Sequence, residues 1–134
     1  MRINNVSFGQ IFKTREVAEI VSGKQIASNK FLANITGLTE DSLLANNHTD
    51  MFVASSSYCG QKIGDMNPDF KTLHNISSEI RYEFASYNLF GENDTTKLQD
   101  LFERREKEID AVCTKLGETV DIPSFEIPFL RAKG

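Results

Sequence analysis

Two apolar stripes with helical spacing occupy the second half of the chain and predict a helical hairpin. The first stripe follows Asn67, Pro68 and Asp69. These residues are typical of a helix start, because asparagine caps free amides, proline suits the first helical position and aspartate favours the positive end of the helix dipole. The second stripe closes at Gly117, a common helix terminator. The two stripes consist of Phe70, Leu73, Ile76, Ile80, Phe84 and Tyr87, and of Leu98, Leu101, Phe102, Ile109, Val112, Cys113 and Leu116.

The connection between the two stripes is short. Gly91 interrupts the first pattern, and Thr95 is one of the candidate caps for the second helix. Helices joined by so short a connection pack antiparallel. We therefore predict an antiparallel hairpin of about 68–88 and 95–116.

One charged residue, Arg105, interrupts the second stripe between Phe102 and Ile109. In the favoured interpretation its stem lies on apolar surface and its head reaches water, because arginine is seldom fully buried. A second interpretation is an ion pair with a carboxylate on a facing element, such as Glu83 at the edge of the first stripe. A specific anion site is the third.

The first third of the chain also has helical periodicity, over residues 15–36. Gly23 lies inside this pattern and costs about 1 kcal/mol relative to alanine in a continuous helix. The segment is therefore either one helix with a weak point or two shorter helices, and Gly37 ends it. Thr39 followed by two acidic residues starts a further short helix. The residues that share the face of 15–36 are Val17, Ile20, Ala27, Phe31 and Ile35.

Three segments are predicted to form a small sheet: 3–8, 51–58 and 120–127. The second is the best interior strand candidate, since its length and the polar clusters that bound it are typical of a strand. Residues 59–66, with two glycines, are predicted to be a loop. Pro123 removes a ladder donor, so the last segment is an edge strand or an extended arm and not a central strand.

The C-terminal arm is unusually apolar for a chain end. In the favoured interpretation it packs back on the hairpin or pairs with residues 3–8. In the functional one it reaches onto a second subunit or a partner, because exposed apolar patches of this size mark interfaces. Tyr82 lies opposite the apolar stripe of its own helix, and exposed tyrosines are common at interfaces. The interaction residues that this hypothesis names are Phe125, Ile127, Phe129 and Tyr82.

Composition narrows the functional classes. A chain of 134 residues with 40% hydrophobic residues is the size of one domain, here 1–134. Its net charge of −4 disfavours nucleic-acid binding, which needs a basic surface. We find no secretory signal and no apolar run near the ~20 residues of a membrane span. The two cysteines are expected to be reduced, which favours a cytoplasmic location.

The only candidate nucleophile is Cys59, which the pattern places at a strand-to-loop transition. A thiol enzyme would need a histidine to activate it, His48 or His74, and an aspartate such as Asp65 or Asp50 to orient that histidine. The combination matches no local family motif. The competing interpretation is a small, buried, inert cysteine, and it is the favoured one.

Cofactor and metal sites are not predicted. Structural zinc takes four closely spaced cysteine or histidine ligands, whereas this chain has two of each, scattered. Residues 60–64 place a lysine between two glycines but lack the spacing of a phosphate-binding loop.

The sequence therefore predicts a mainly helical α+β domain, with the hairpin, N-terminal helices and a minor sheet. The alternative is an all-α fold with extended terminal arms. The functional hypothesis is a non-enzymatic protein-interaction module, adaptor or chaperone-like, that self-associates or binds a protein partner through the arm. The alternative is a small thiol-dependent hydrolase or transferase that uses Cys59.

Overall fold

A computed structural model of the chain describes residues 10–46, 49–90 and 95–129. Within these ranges the fold is mainly helical with one small sheet, which confirms the predicted α+β class. In chain order the elements are β1 (Gln10–Lys13), α1 (Thr14–Val21), α2 (Asn29–Thr36), α3 (Glu40–Ala45), α4 (Thr49–Met66), α5 (Pro68–Phe90), α6 (Thr96–Leu116) and β2 (Thr119–Ile122).

Helices α5 and α6 form the predicted hairpin. Ion pairs between their ends show that the helices are antiparallel: Lys97 at the start of α6 bonds to Glu83 near the end of α5, at 3.1 Å. Lys115 at the end of α6 bonds to Asp69 at the start of α5, at 2.7 Å. The stripes face each other as predicted, but they divide between two clusters. Phe70, Leu73, Ile109 and Val112 belong to the main core, whereas Ile76, Ile80, Leu98 and Leu101 form a second cluster with Phe102 packed against it.

The prediction of a strand over 51–58 and a loop over 59–66 is wrong, because both segments belong to α4. The hydrophobic pattern of the sequence does not show this helix, because its buried face consists largely of small residues. Ser55, Ser56, Cys59, Gly60, Ile63 and Gly64 are buried at spacings of three and four. A Cβ at Gly60 would lie 3.4 Å from Val21 Cα, and one at Gly64 would lie 3.4 Å from Lys71 Cα. The two glycines therefore let α4 approach the backbones of α1 and α5 closely.

The segment 15–36 is two helices, the second of the two possibilities that the pattern left open. Gly23 follows the end of α1 and has φ +78°, a left-handed conformation that residues other than glycine rarely adopt. Ser28 then caps α2, accepting a hydrogen bond from Phe31 N at 3.0 Å. Thr39 caps α3 in the same way, with Ser42 N as donor, and this confirms the predicted helix start.

Among the described residues the sheet has two antiparallel strands, with Gln10 opposite Ile122 and Lys13 opposite Thr119. The predicted strand 3–8 lies outside the described residues. The predicted strand 120–127 is shortened to β2, which ends immediately before Pro123.

The C-terminal arm packs onto its own domain. Phe125 N donates a hydrogen bond to Ile35 O of α2 at 3.1 Å. Ile122, Phe125 and Ile127 are buried in the main core cluster, which also contains hairpin residues. The arm is therefore part of the core, and its two central hydrophobic side chains do not offer a free surface.

Replacement of Leu73 tests whether the buried face of the helical hairpin stabilises the fold. Leu73 is fully buried, so we expect Leu73→Ala to lower the free energy of unfolding by about 2–5 kcal/mol, from lost burial and the cavity left behind. Leu44→Ala is the matched control, because Leu44 is also helical but 65% exposed, and its effect should stay within about 0.5 kcal/mol. Urea denaturation measures the free energy of unfolding of both variants. Equal losses would contradict the assignment of Leu73 to the buried face of the hairpin.

Gly23 provides a second test of the fold. Gly23→Ala should cost more than Gly37→Ala, although both residues have nearly the same φ, +78° and +79°. The left-handed backbone costs about 1–2 kcal/mol in each variant. Only at Gly23 would the new Cβ lie 2.7 Å from Ser77 Oγ, which accepts a hydrogen bond from Arg81. We expect about 1 kcal/mol of extra destabilisation in urea denaturation from disturbing this bond; equal costs would refute the close contact.

Candidate functional site

The candidate site is a cleft where the 22–28 connection meets α4, α5 and α6, with a cavity of about 160 Å³. Buried side chains of Ile20, Val21 and Ile80 contribute to its apolar lining. Ile26 and Val53 also line it, and they are 52% and 50% exposed. The cleft is thus an apolar depression whose edges reach solvent.

Glycine and serine residues shape this depression. Gly23 turns the chain after α1, and the connection is then tied to α4 by a hydrogen bond of 3.0 Å from Ala27 N to Ser56 Oγ. This bond lies one residue after Ile26 and holds the connection against α4. Gly60 also lines the depression, at a point where a Cβ would lie 3.4 Å from Val21 Cα and 3.8 Å from His74 Nδ1. Glycine and serine residues thus line part of the cavity, where the helices pack closely.

Three basic side chains, His74, Arg81 and Arg105, line the same cleft. Arg81 donates hydrogen bonds from Nη1 to Ser77 Oγ at 2.9 Å and from Nη2 to Ser78 Oγ at 3.3 Å. These bonds hold its guanidinium along α5.

Arg105 of α6 has a distinct environment. Its guanidinium carbon lies 5.0 Å from the centre of the Phe102 ring, a cation–π contact. Its Nε is buried without a hydrogen-bond partner. The ion pair with Glu83 that the sequence left open does not form, because Glu83 bonds to Lys97. Arg105 makes no ion pair with any residue in the described ranges.

Burial lowers the pKa of His74, and the positive charges of Arg81 and Lys71 lower it further, while Asp65 acts in the opposite direction. The net lowering of this pKa favours the neutral imidazole. A neutral imidazole offers one N–H donor and one acceptor nitrogen. His74 can thus orient a polar group in the cleft without adding a full charge.

The carboxylates around the cleft are paired with other cations. Asp65 accepts a hydrogen bond from Lys71 at 3.2 Å, and Glu106 bonds to Lys24 at 3.0 Å. In the described part of the chain, no aspartate or glutamate lines the cavity. The cleft consequently presents positive charge on a chain whose net charge is −4.

Cys59 lies in the core and is fully buried. Burial raises the pKa of its thiol to about 12, so the thiolate that nucleophilic catalysis needs is scarce. In the described ranges no hydrogen bond joins Cys59 to His74 or to Asp65; His74 lines the cleft, and Asp65 bonds to Lys71. His48 lies outside the described residues. The structure therefore offers no support for a catalytic role of Cys59.

The four residues predicted to form an interaction surface differ in exposure. Phe125 and Ile127 are buried in the core, as described above. Phe129 is partly exposed, and its ring lies 5.8 Å from that of Tyr58 in an edge-on contact. Tyr82 is 69% exposed, directly beside Arg81 on α5. Only the last two keep an accessible apolar face.

Sequence reasoning missed Ile26, Val53 and Arg81 as site residues. The incorrect strand prediction concealed Val53, because the exposed position of this residue follows only from the helix at 49–66. Small residues at four-residue spacing, Ser56, Gly60 and Gly64, were the available signal for a closely packed helix.

Two other kinds of site, a membrane span and a metal centre, are not found in the described ranges. None of the described helices is long and apolar enough to cross a membrane. Within the same residues, no three histidine, cysteine, aspartate or glutamate side chains come together in a group that could hold a metal ion.

Cysteine labelling tests the assignment of Cys59 to the core. In a Cys113→Ser variant, iodoacetamide at pH 8 should modify Cys59 far more slowly in the folded protein than in urea, because a thiol with a pKa of about 12 is almost entirely protonated. Mass spectrometry gives both rates. Labelling of the folded protein as fast as that of a free thiol would restore the thiol-enzyme hypothesis.

Comparison with known proteins provides no functional assignment. Neither a protein-family profile, nor a curated protein, nor a solved structure matches this chain. The features of the chain that bear on its function are therefore the cleft, which is lined by Ile26, Val53, Ile80, Arg81 and Arg105 among others, and the surface around it.

Proposed function

We propose that this protein is a non-enzymatic protein-interaction module that receives an apolar side chain of a partner in the cleft. The observation that carries the proposal is the pair of half-exposed aliphatic residues, Ile26 and Val53, beside a cavity lined by buried apolar side chains. Apolar side chains at the mouth of a depression are hydrated in the free protein, and a partner's side chain would remove that surface from water.

The size of the cavity supports a side-chain ligand. Pockets for drug-sized molecules and cofactors usually enclose ~300–1,000 Å³. The cavity here is about 160 Å³, close to the ~150 Å³ of an engineered cavity that binds benzene. It suits one leucine, methionine or phenylalanine side chain and is too small for a nucleotide.

The surface next to the cleft also suits a protein partner. Phe84 is 46% exposed, and its ring centre lies 6.1 Å from that of Phe102. Phe84 follows Ile80 by about one helical turn, ~5.4 Å, so aromatic surface continues from the cavity along the hairpin. Arginine is enriched among the residues that dominate binding at interfaces, and Arg81 lines the cleft.

This proposal moves the interaction surface from the C-terminal arm to the cleft, because Phe125 and Ile127 are buried in their own domain. An adaptor or chaperone-like role would use the cleft to hold a segment of another protein. Self-association would place a second copy there. Cys59 and Cys113 are both free thiols, which supports a reducing compartment, and we propose a cytoplasmic location.

Peptide display tests the proposal. A phage library of random dodecapeptides selected on the immobilised protein should yield peptides with an apolar anchor residue. Their affinity for Val53→Asp should fall at least tenfold, because a carboxylate at the cavity mouth disfavours an apolar group. Leu44→Asp is the matched control, since Leu44 is 65% exposed on α3, does not line the cavity and should leave binding unchanged.

Fluorescence anisotropy with synthetic versions of the selected peptides gives the affinities, and circular dichroism verifies that both variants fold. Recovery of no specific peptide, or equal binding to Val53→Asp and wild type, would count against the cleft as a protein-binding site.

A further inference from the structure

Resting on the proposed function, we propose that the partner segment is acidic: a carboxylate next to its apolar anchor ion-pairs with Arg105 and Arg81 at the cleft. The proposal joins three observations: an unsatisfied buried arginine nitrogen, two cations with no carboxylate partner in the described residues, and an apolar cavity between them and the α1–α2 connection.

Arg105 is the central residue of this site. Its Nε has lost water without gaining a hydrogen-bond acceptor, which is a costly state for a donor. Because Nε itself is buried, a carboxylate in the cavity would meet the terminal nitrogens of the guanidinium and offset this cost through the charge that the whole group shares. The contact with Phe102 also orders the guanidinium before binding, so less conformational entropy is lost when a carboxylate docks.

Arg81 provides the second cation from the neighbouring helix. Its hydrogen bonds to Ser77 and Ser78 use serine hydroxyls, which leave the charge uncompensated. Two guanidinium groups from α5 and α6 thus line one cleft. A carboxylate has two oxygens, and it can accept hydrogen bonds from both arginines at once.

The charges around the site favour an anionic ligand. Other cations neutralise the neighbouring carboxylates, as the pairs Asp65–Lys71 and Glu106–Lys24 show. Arg81 and Arg105 therefore keep the charge that an acidic partner complements, and electrostatic complementarity of this kind confers specificity.

A protein segment fits the site better than a free anion or a nucleic acid. A bare phosphate would leave the apolar surface of Ile26, Val53 and Phe84 unused. A polyanion would meet a protein whose net charge is −4. An acidic segment with an apolar anchor uses both the cavity and the arginines.

Replacement of the acidic residue of the peptide ligand by its amide tests the proposal on the wild-type protein. Peptides selected by display should contain an aspartate or glutamate near the apolar anchor, and replacing this residue by its amide should weaken binding about tenfold, the loss typical of a hydrogen bond to a charged group. The control peptide has an acidic residue replaced farther from the anchor, and its affinity should change less than twofold.

A matched pair of protein variants locates the contact. Arg105→Gln should weaken binding of the acidic peptide about tenfold. The Arg105→Gln variant should then bind the amide peptide almost as well as it binds the acidic one, because the two changes remove the same interaction. Arg104→Gln is the control, since Arg104 forms an ion pair with Glu79 at 3.8 Å and does not line the cavity; it should change affinity less than twofold.

Several results would overturn the acidic-segment proposal while leaving the protein-binding function intact. These are selected peptides without acidic residues, equal effects of Arg104→Gln and Arg105→Gln, or a dimer that Val53→Asp dissociates in sedimentation, which would identify a second copy as the occupant. Displacement of the peptide by an equal concentration of a single-stranded dodecanucleotide would also overturn it. Failure to select any peptide contradicts the proposed function itself.

Discussion

The close approach of α4 to the backbones of α1 and α5 is the constraint on which the rest of the structure depends. At Gly60 and Gly64 a Cβ would already be in contact with Val21 Cα and Lys71 Cα, each at 3.4 Å, so these positions have little room for a side chain. Larger residues would push these helices apart. The residues that precede these glycines belong to the core, because Cys59 and Ile63 are both fully buried.

The cleft is a by-product of this packing. Helices that meet at small residues leave space where the next side chains are also small, and Ser56, Gly60 and Ser77 line the cavity at that point. The α1–α2 connection then determines the shape of the opening, because its bond to Ser56 holds it against α4. A structural need for close packing and a surface suited to ligand binding therefore arise from the same residues.

Charge distribution gives the cleft its second property. Carboxylates are more numerous than cations in this chain, 19 against 15. Several of those carboxylates nevertheless pair with lysines or arginines outside the cleft, as Glu83 does with Lys97. Local pairing thus leaves Arg81 and Arg105 as a positive site on an acidic protein. Net charge alone predicts the opposite potential for this surface, which shows why composition is a poor guide to a single site.

The sequence by itself determined the hairpin and the cap of α3, and it marked Gly23 as the weak point of 15–36 without deciding between one helix and two. Each depends on contacts within one helix or on one residue's backbone preference, and such contacts are local along the chain. It could not reveal α4, because small residues packed against neighbouring backbones carry little hydrophobic signal. Arg105 and His74 stood out in the sequence, but only the tertiary structure brought them to one cleft with Ile26 and Val53. These residues come from one connection and three helices, and sequence spacing does not record distances between elements.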